Sequence, residues 1–313
     1  MRTREAPLAR RIEESLTQFE SSVGSLPGIS QSAQRDVFVE QLVESDRRRR
    51  YVQRLVESKL SPSRTDPRSE NFDPLRAAIV FQREGKVEEA FWMLFLFVHF
   101  GKHRVAGWRY AARVYGKLED TTRWDWRNVC LDVSGFREWL DQNSEMIKAG
   151  SDRRGFGNHR KYESLSGSSM SGTGAVVASY VEWVGPTQSH VKRVRILLSD
   201  VGDNPSVAFD YLYQSMNSVQ RFGRTARFDY LSMAGKIGLI DIVPGRAYLV
   251  GSTGPFHGAR LLFGEIEGHG ASATTLETRL SVLQTYLELG FDVIEDALCN
   301  WQKSPTEFRP FRG

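Results

Sequence analysis

The stretch Ala90 to Phe100, AFWMLFLFVHF, constrains the fold more than any other part of the chain. A helix through it is apolar on nearly every side, so it has no face to give to water. It falls far short of the about 20 residues that cross a bilayer as a helix. It therefore needs other elements wrapped around it, as the central helix of a soluble core, and Gly101 is placed to end it. A chain of 313 residues is long enough to build that wrapping.

The rest of the sequence supplies helices for the purpose. Apolar spacing predicts helices over 7–22 and 33–58, parted by the turn SLPGIS, and then over 104–117, 134–148, 175–184, 188–200, 205–221, 224–238, 255–266 and 275–302. SHVKRVRILLSD alternates as a strand would but stands alone, and RWDWRNV reads as an aromatic connection. The fold class expected is all-α, in two lobes. Polar SKLSPSRTDPRSENFDP and the glycine- and serine-rich 149–174 are connections, which suggests N-terminal basic helices over 1–60, a helical lobe over 61–150 and a C-terminal helical lobe over 151–313.

Charge and cysteine content narrow the chemistry. Forty-two basic residues stand against 38 acidic ones, for a net charge of +4, a balance compatible with nucleic acid. Cys130 and Cys299 form no CxxC pair, which excludes a four-cysteine metal site and fits a reducing compartment. The N-terminal MRTREAPLARRIEESL has no apolar signal stretch, so a cytoplasmic location without a membrane is expected. Walker loop, HExxH, GxSxG and GxGxxG motifs are missing, and the six histidines are scattered, so no metal or cofactor is expected.

Basic residues are instead interleaved with glycine and aromatic residues in HFGKHRVAGWRY, RRGFGNHRKY, RFGRTARFDYL and GSTGPFHGARLLFG. Glycine lets a phosphate approach the backbone, and an aromatic ring can stack on an unpaired base. DRRRRYVQR adds four consecutive arginines that wrap more than one helical turn, either as a solvated flank or as a phosphate patch.

YLVGSTGPFHGARLLF reads as a helix, a tight glycine turn and a helix, and resembles the helix–hairpin–helix element of DNA glycosylases. In that superfamily an aspartate on a following helix stabilises the positive charge that grows on the sugar as the base leaves. Two stretches offer such an acid: RFDYLSMAGKIGL with Asp229, and FDVIEDALCNWQKS with Glu295 and Asp296. At 100° per residue, Phe291, Ile294, Ala297, Leu298 and Trp301 share one face of the second stretch, Asp292, Asp296, Cys299 and Lys303 the opposite one, and Glu295 the boundary. In the first stretch Arg224 and Arg227 lie on the side of Phe228 and Leu231, away from Asp229, Ser232 and Lys236. Asp229, Glu295 and Asp296 thus compete as the catalytic acid.

Taken together, HFGKH, GWRY, FGNHRKY, GRTARFDYL, GSTGPFHGARLLF and EDALCNWQKS resemble the α-glutamyl/putrescinyl thymine pyrophosphorylase family, clade 3, over roughly residues 35–313. The resemblance implies a helical, glycosylase-like fold and an enzyme that works on double-stranded DNA carrying modified bases, such as a phage genome. The activity it implies is excision of a bulky base, α-glucosylated hydroxymethylcytosine being the first candidate, in anti-phage defence. A transferase attaching an amino acid or polyamine to a thymine-derived base is the alternative. Positions suited to a base pocket are His99, Phe100, Asn158, His159, Tyr162 and Trp301, and positions suited to DNA phosphates are Lys102, Arg109, Arg160, Lys161, Arg224, Arg227, Arg260 and Lys303.

Overall fold

The computed structural model describes residues 5–150, 155–160, 162–264 and 270–310. Among these the chain is all-helical. In chain order the helices are α1 (Ala6–Ser22), α2 (Ser32–Glu57), α3 (Pro74–Arg83), α4 (Val87–Phe100), α5 (Arg109–Tyr115), α6 (Trp126–Leu131), α7 (Val133–Lys148), α8 (Thr173–Val184), α9 (His190–Leu197), α10 (Pro205–Ser215), α11 (Arg224–Lys236), α12 (Gly254–Leu262), α13 (Ala273–Leu287) and α14 (Phe291–Trp301). The one pairing of extended backbone among the described residues is the isolated bridge His103–Gly107. SHVKRVRILLSD is helix α9, started by Ser189, whose side chain accepts the Lys192 N–H.

Two compact units result: residues up to 54 with those from 243 onward, and residues 55–242. The division expected at residues 60 and 150 follows chain order, whereas these units group the two ends of the chain.

In the unit of residues 55–242, α4 is the axis. Its residues Ala90 to Leu96 are buried, with Trp92, Phe95 and Tyr180 forming a stack that continues to Phe222. Each fully buried aromatic ring contributes about 1.5–3 kcal/mol of transfer free energy, so this one helix carries a large share of the unit's stability. The helix ends at Gly101, whose φ of +62° is open to glycine and strained for other residues, as its position in the sequence suggested. α3 packs against α4, and Asp73 caps α3 by accepting the Arg76 N–H at 3.0 Å.

A buried polar chain crosses the same core. Glu88 accepts from the Ser189 hydroxyl (2.6 Å), the His190 N–H (2.7 Å) and His190 Nδ1 (2.6 Å). With Nδ1 donating, Nε2 of a neutral His190 accepts from Tyr180 O–H at 2.7 Å, and Tyr180 accepts in turn from Tyr230 at 2.8 Å. Burial pushes the Glu88 carboxyl up, but the bonds from His190 and Ser189 outweigh it and hold the pKa at about 2. Burial pushes His190 down. The chain ties α4, α8, α9 and α11 together, and it ends on Tyr230, the neighbour of Asp229.

In the other unit, α12 and α14 pack together, and α1 packs on α13. Trp301 is fully buried against Phe38, with ring centroids 4.8 Å apart. The face predicted for α14, Phe291, Ile294, Ala297, Leu298 and Trp301, is the buried one. The four arginines of α2 are paired rather than free: Arg47 with Glu44, Arg48 with Glu44 and Asp296, and Arg49 and Arg50 both with Asp46, whose side chain is 6 % exposed.

Several expectations are corrected. Residues 237–253 contain no helix, so the helix expected before the Gly251–Gly254 turn is not there and the turn opens α12 alone. Pro244 and Gly245 break the pattern, and Leu249 N–H donates to Glu277 instead of to a helical carbonyl. The helix expected over 275–302 is two helices. Glu288 adopts a left-handed conformation (φ 53°), Leu289 is buried, and Gly290 starts α14. Residues 104–108 form a turn where helix was expected, and RWDWRNV contributes α6, started by Asp125 accepting the Asn128 N–H.

Candidate active site

Two glycines bring the loops of the 55–242 unit together. Gly157 N–H donates to Phe100 O at 2.7 Å, and a Cβ on Gly157 would meet the Gly101 carbonyl carbon at 2.9 Å. The segment after α4 and the segment FGNHR can cross at this distance only without side chains. Phe156 then stacks on Phe100 with centroids 5.4 Å apart, and its neighbours point Arg160 toward α11.

Arg160 is the pivot. Its side chain is 12 % exposed, its Nε donates to Val98 O near the C-terminus of α4 at 2.8 Å, and its Nη2 donates to Asp229 Oδ2 at 3.4 Å. A guanidinium suits the partial negative charge of a helix C-terminus. Asp229 has 47 % of its side chain open to solvent. Yet loss of hydration is the largest influence on its carboxyl and raises its pKa, while Arg160, Arg224, His159 and Lys236 lower it. Solvent thus reaches one side of the carboxyl while protein atoms crowd the other. The net result is a carboxylate titrating above the ordinary aspartate value, ringed by four basic residues.

The neighbours have separate duties. Arg224 is buried and lies over the Phe228 ring at 4.6 Å. Arg227 lies over Tyr213 at 4.2 Å and donates to Tyr213 O and Asn217 Oδ1, which uses it to hold the end of α10. Tyr162 is 81 % exposed and flanked by the Arg221–Glu163 ion pair at 3.1 Å. That pair was not singled out in the sequence, although Arg221 opens the RFGR stretch.

His99 and Phe100 are buried. Thr173 O–H donates to Ser164 O at 2.7 Å, so the 2.9 Å contact to His99 Nε2 requires the imidazole to donate there. Burial, with Arg160 and Arg221 adding to it, pushes His99 down to about 3, so it is neutral at physiological pH. Lys102 and His159 are exposed, and Arg109 lies over Tyr110 at 5.8 Å. Asn158 begins a short helical turn; Lys161 lies outside the described residues.

The remaining candidates belong to the other unit. Glu295 is buried. Asp296 Oδ2 accepts from Arg48 at 2.9 and 2.5 Å, and its Oδ1 accepts from Asn300 at 2.8 Å, so both oxygens are occupied. Lys303 donates to Asn300 Oδ1 at 3.2 Å, Arg260 lies over Phe256 at 5.8 Å, and Trp301 is core. Among the described residues no three His, Cys, Asp or Glu side chains gather as a metal-holding group.

A family model described as alpha-glutamyl/putrescinyl thymine pyrophosphorylase clade 3 matches residues 33–313. The chain belongs to this family. The match spans α2 to α14 and includes the loops around Asp229. The family description names an enzyme of thymine chemistry. No curated protein and no solved structure matches the chain.

Proposed function

We propose that this member of the family is a DNA glycosylase that excises a bulky modified base and leaves an abasic site. The observation that carries the reading is the Asp229 carboxylate, half open to solvent, paired with Arg160 and under the charges of Arg224, His159 and Lys236. Cations around the acid suit phosphates of a bound strand, and exposed Tyr162 suits stacking on a base drawn out of the duplex. As the bond between base and C1′ breaks, its electron pair leaves with the base and positive charge grows on the sugar. Asp229 faces that charge and takes the proton of the water that attacks C1′. The elevated pKa makes it a stronger base than an ordinary aspartate. α-Glucosylated hydroxymethylcytosine of phage DNA is the first substrate to test, and anti-phage defence is the role it implies.

The family description favours a second reading, transfer of an amine onto a pyrophosphorylated thymine derivative, in which the cations around Asp229 would grip the leaving pyrophosphate. The products separate the two. Incubation with glucosylated phage DNA should give free base and alkali-labile sites. Release of pyrophosphate with a mass gain on the DNA would overturn the glycosylase reading in favour of transfer. The pH profile checks the site itself: base release should fall toward acid at a pH above the ordinary aspartate pKa. Arg160→Ala removes a charge that lowers the Asp229 pKa, so it should move this acid limb to higher pH. An unmoved limb would separate Arg160 from the reacting acid.

A further inference from the structure

The turn after α4 carries an apolar tip. Val105 is 68 % exposed, between exposed Arg104 and the short stem closed by His103 N–H to Gly107 O (3.0 Å) and Gly107 N–H to His103 O (2.9 Å). His103 Nδ1 accepts the Val105 N–H at 3.3 Å and the Ala106 N–H at 3.0 Å. The tip therefore meets the demands of these amides from its own side chain and can leave water without orphaning them. These hydrogen bonds define the turn that presents Val105 to solvent.

Its root touches the acid site. A Cβ on Gly101 would meet Gly157 Cα at 3.3 Å and Arg160 Cγ at 3.6 Å, and Arg160 reaches Asp229. The tip thus rises from the residues that position the carboxylate, with Lys102 and Arg104 exposed beside it. Apolar side chains inserted between base steps unstack them, and flanking cations engage the adjacent phosphates.

We propose that Val105 enters the base stack of duplex DNA beside the nucleotide presented to Asp229, with Lys102 and Arg104 on the flanking phosphates. This rests on the DNA-acting reading of the Asp229 site, and it makes Val105 a positioning residue that keeps the vacated stack open.

The test uses the full chain and a duplex carrying 2-aminopurine next to a tetrahydrofuran abasic analogue. Binding of the unsubstituted protein should raise the 2-aminopurine fluorescence as the base unstacks. Val105→Ala should lose at least half of the rise and bind this duplex about 10-fold more weakly, a change of about 1.4 kcal/mol. Its affinity for an unmodified duplex should stay within about 2-fold, and Val105→Leu should keep the rise. Lys102→Ala with Arg104→Ala should weaken both duplexes alike and lower the salt slope by about 2. A full fluorescence rise with Val105→Ala overturns the proposal while leaving the glycosylase reading intact. A normal rise without base release from glucosylated DNA overturns the glycosylase reading alone. Failure to bind either duplex overturns both.

Discussion

Asp229→Asn should lower base release from glucosylated phage DNA by about 10²–10⁴-fold, the range that a positioned general base supplies. The amide keeps the size of the side chain and can still contact Arg160, so circular dichroism and the unfolding midpoint should change little. It can neither take a proton from water nor offset positive charge on the sugar. The effect should fall on kcat, because the cations Arg160, Arg224 and Lys236 that attract DNA remain in place. Glu295→Gln is the matching control, since Glu295 is buried on α14 and Asp229 is half open to solvent. Full activity in Asp229→Asn with loss in Glu295→Gln would assign the chemistry to α14 instead.

Acid should cost the protein stability through His99, against an opposing gain from Glu89, whose carboxyl burial raises to about 7. Its ordinary pKa near 6.5 holds in the unfolded chain, whereas in the fold burial and the nearby arginines push it down to about 3. The folded state thus binds the proton less well than the unfolded state. The His99 contribution to stability is complete above about pH 6.5 and declines as pH falls toward 3. By pH 4 the loss from His99 alone is about 3 kcal/mol. His190, also pushed down by burial, adds to it in the same direction. Glu88, held at about 2, adds a further loss below about 4.5. Urea midpoints between pH 8 and pH 4 provide the measurement. In His99→Gln the amide can still donate to Thr173 but cannot titrate, so stability at pH 4 relative to pH 8 should be higher than in the unsubstituted protein. A pH dependence of the midpoint left unchanged by His99→Gln would contradict the neutral, buried assignment of His99.

Much of the helical architecture was legible because it rests on local periodicity. AFWMLFLFVHF could only be a wrapped helix, and the apolar face of FDVIEDALCNW is the face found buried. The breaks were harder to read. Glu288 turns left-handed before Gly290, and LELGFD hides that turn inside an otherwise helical pattern. The stretch before GSTG looked helical from its apolar residues, but Leu249 satisfies its N–H on Glu277, a partner 28 residues away. The site was legible in composition and not in arrangement. FGNHR and RFDYL were each visible as basic and aromatic stretches. Their meeting depends on Gly157 lying against Gly101, and on Arg160 reaching Asp229 across 69 positions of sequence. Nothing local encodes such a contact. The same holds for Asp296, which its spacing sets opposite the apolar face and whose partner Arg48 lies 248 positions away.

The paired arginines of α2 bear on how the protein responds to ionic strength. Arg47, Arg48, Arg49 and Arg50 are paired with Glu44, Asp46 and Asp296. A cation that already has a carboxylate partner displaces few condensed counterions when a phosphate approaches, because it must first give up that partner. The polyelectrolyte valence of this molecule is therefore smaller than its arginine count. These four arginines should add little to the salt dependence of nucleic-acid binding, which falls to the cations of the 55–242 unit.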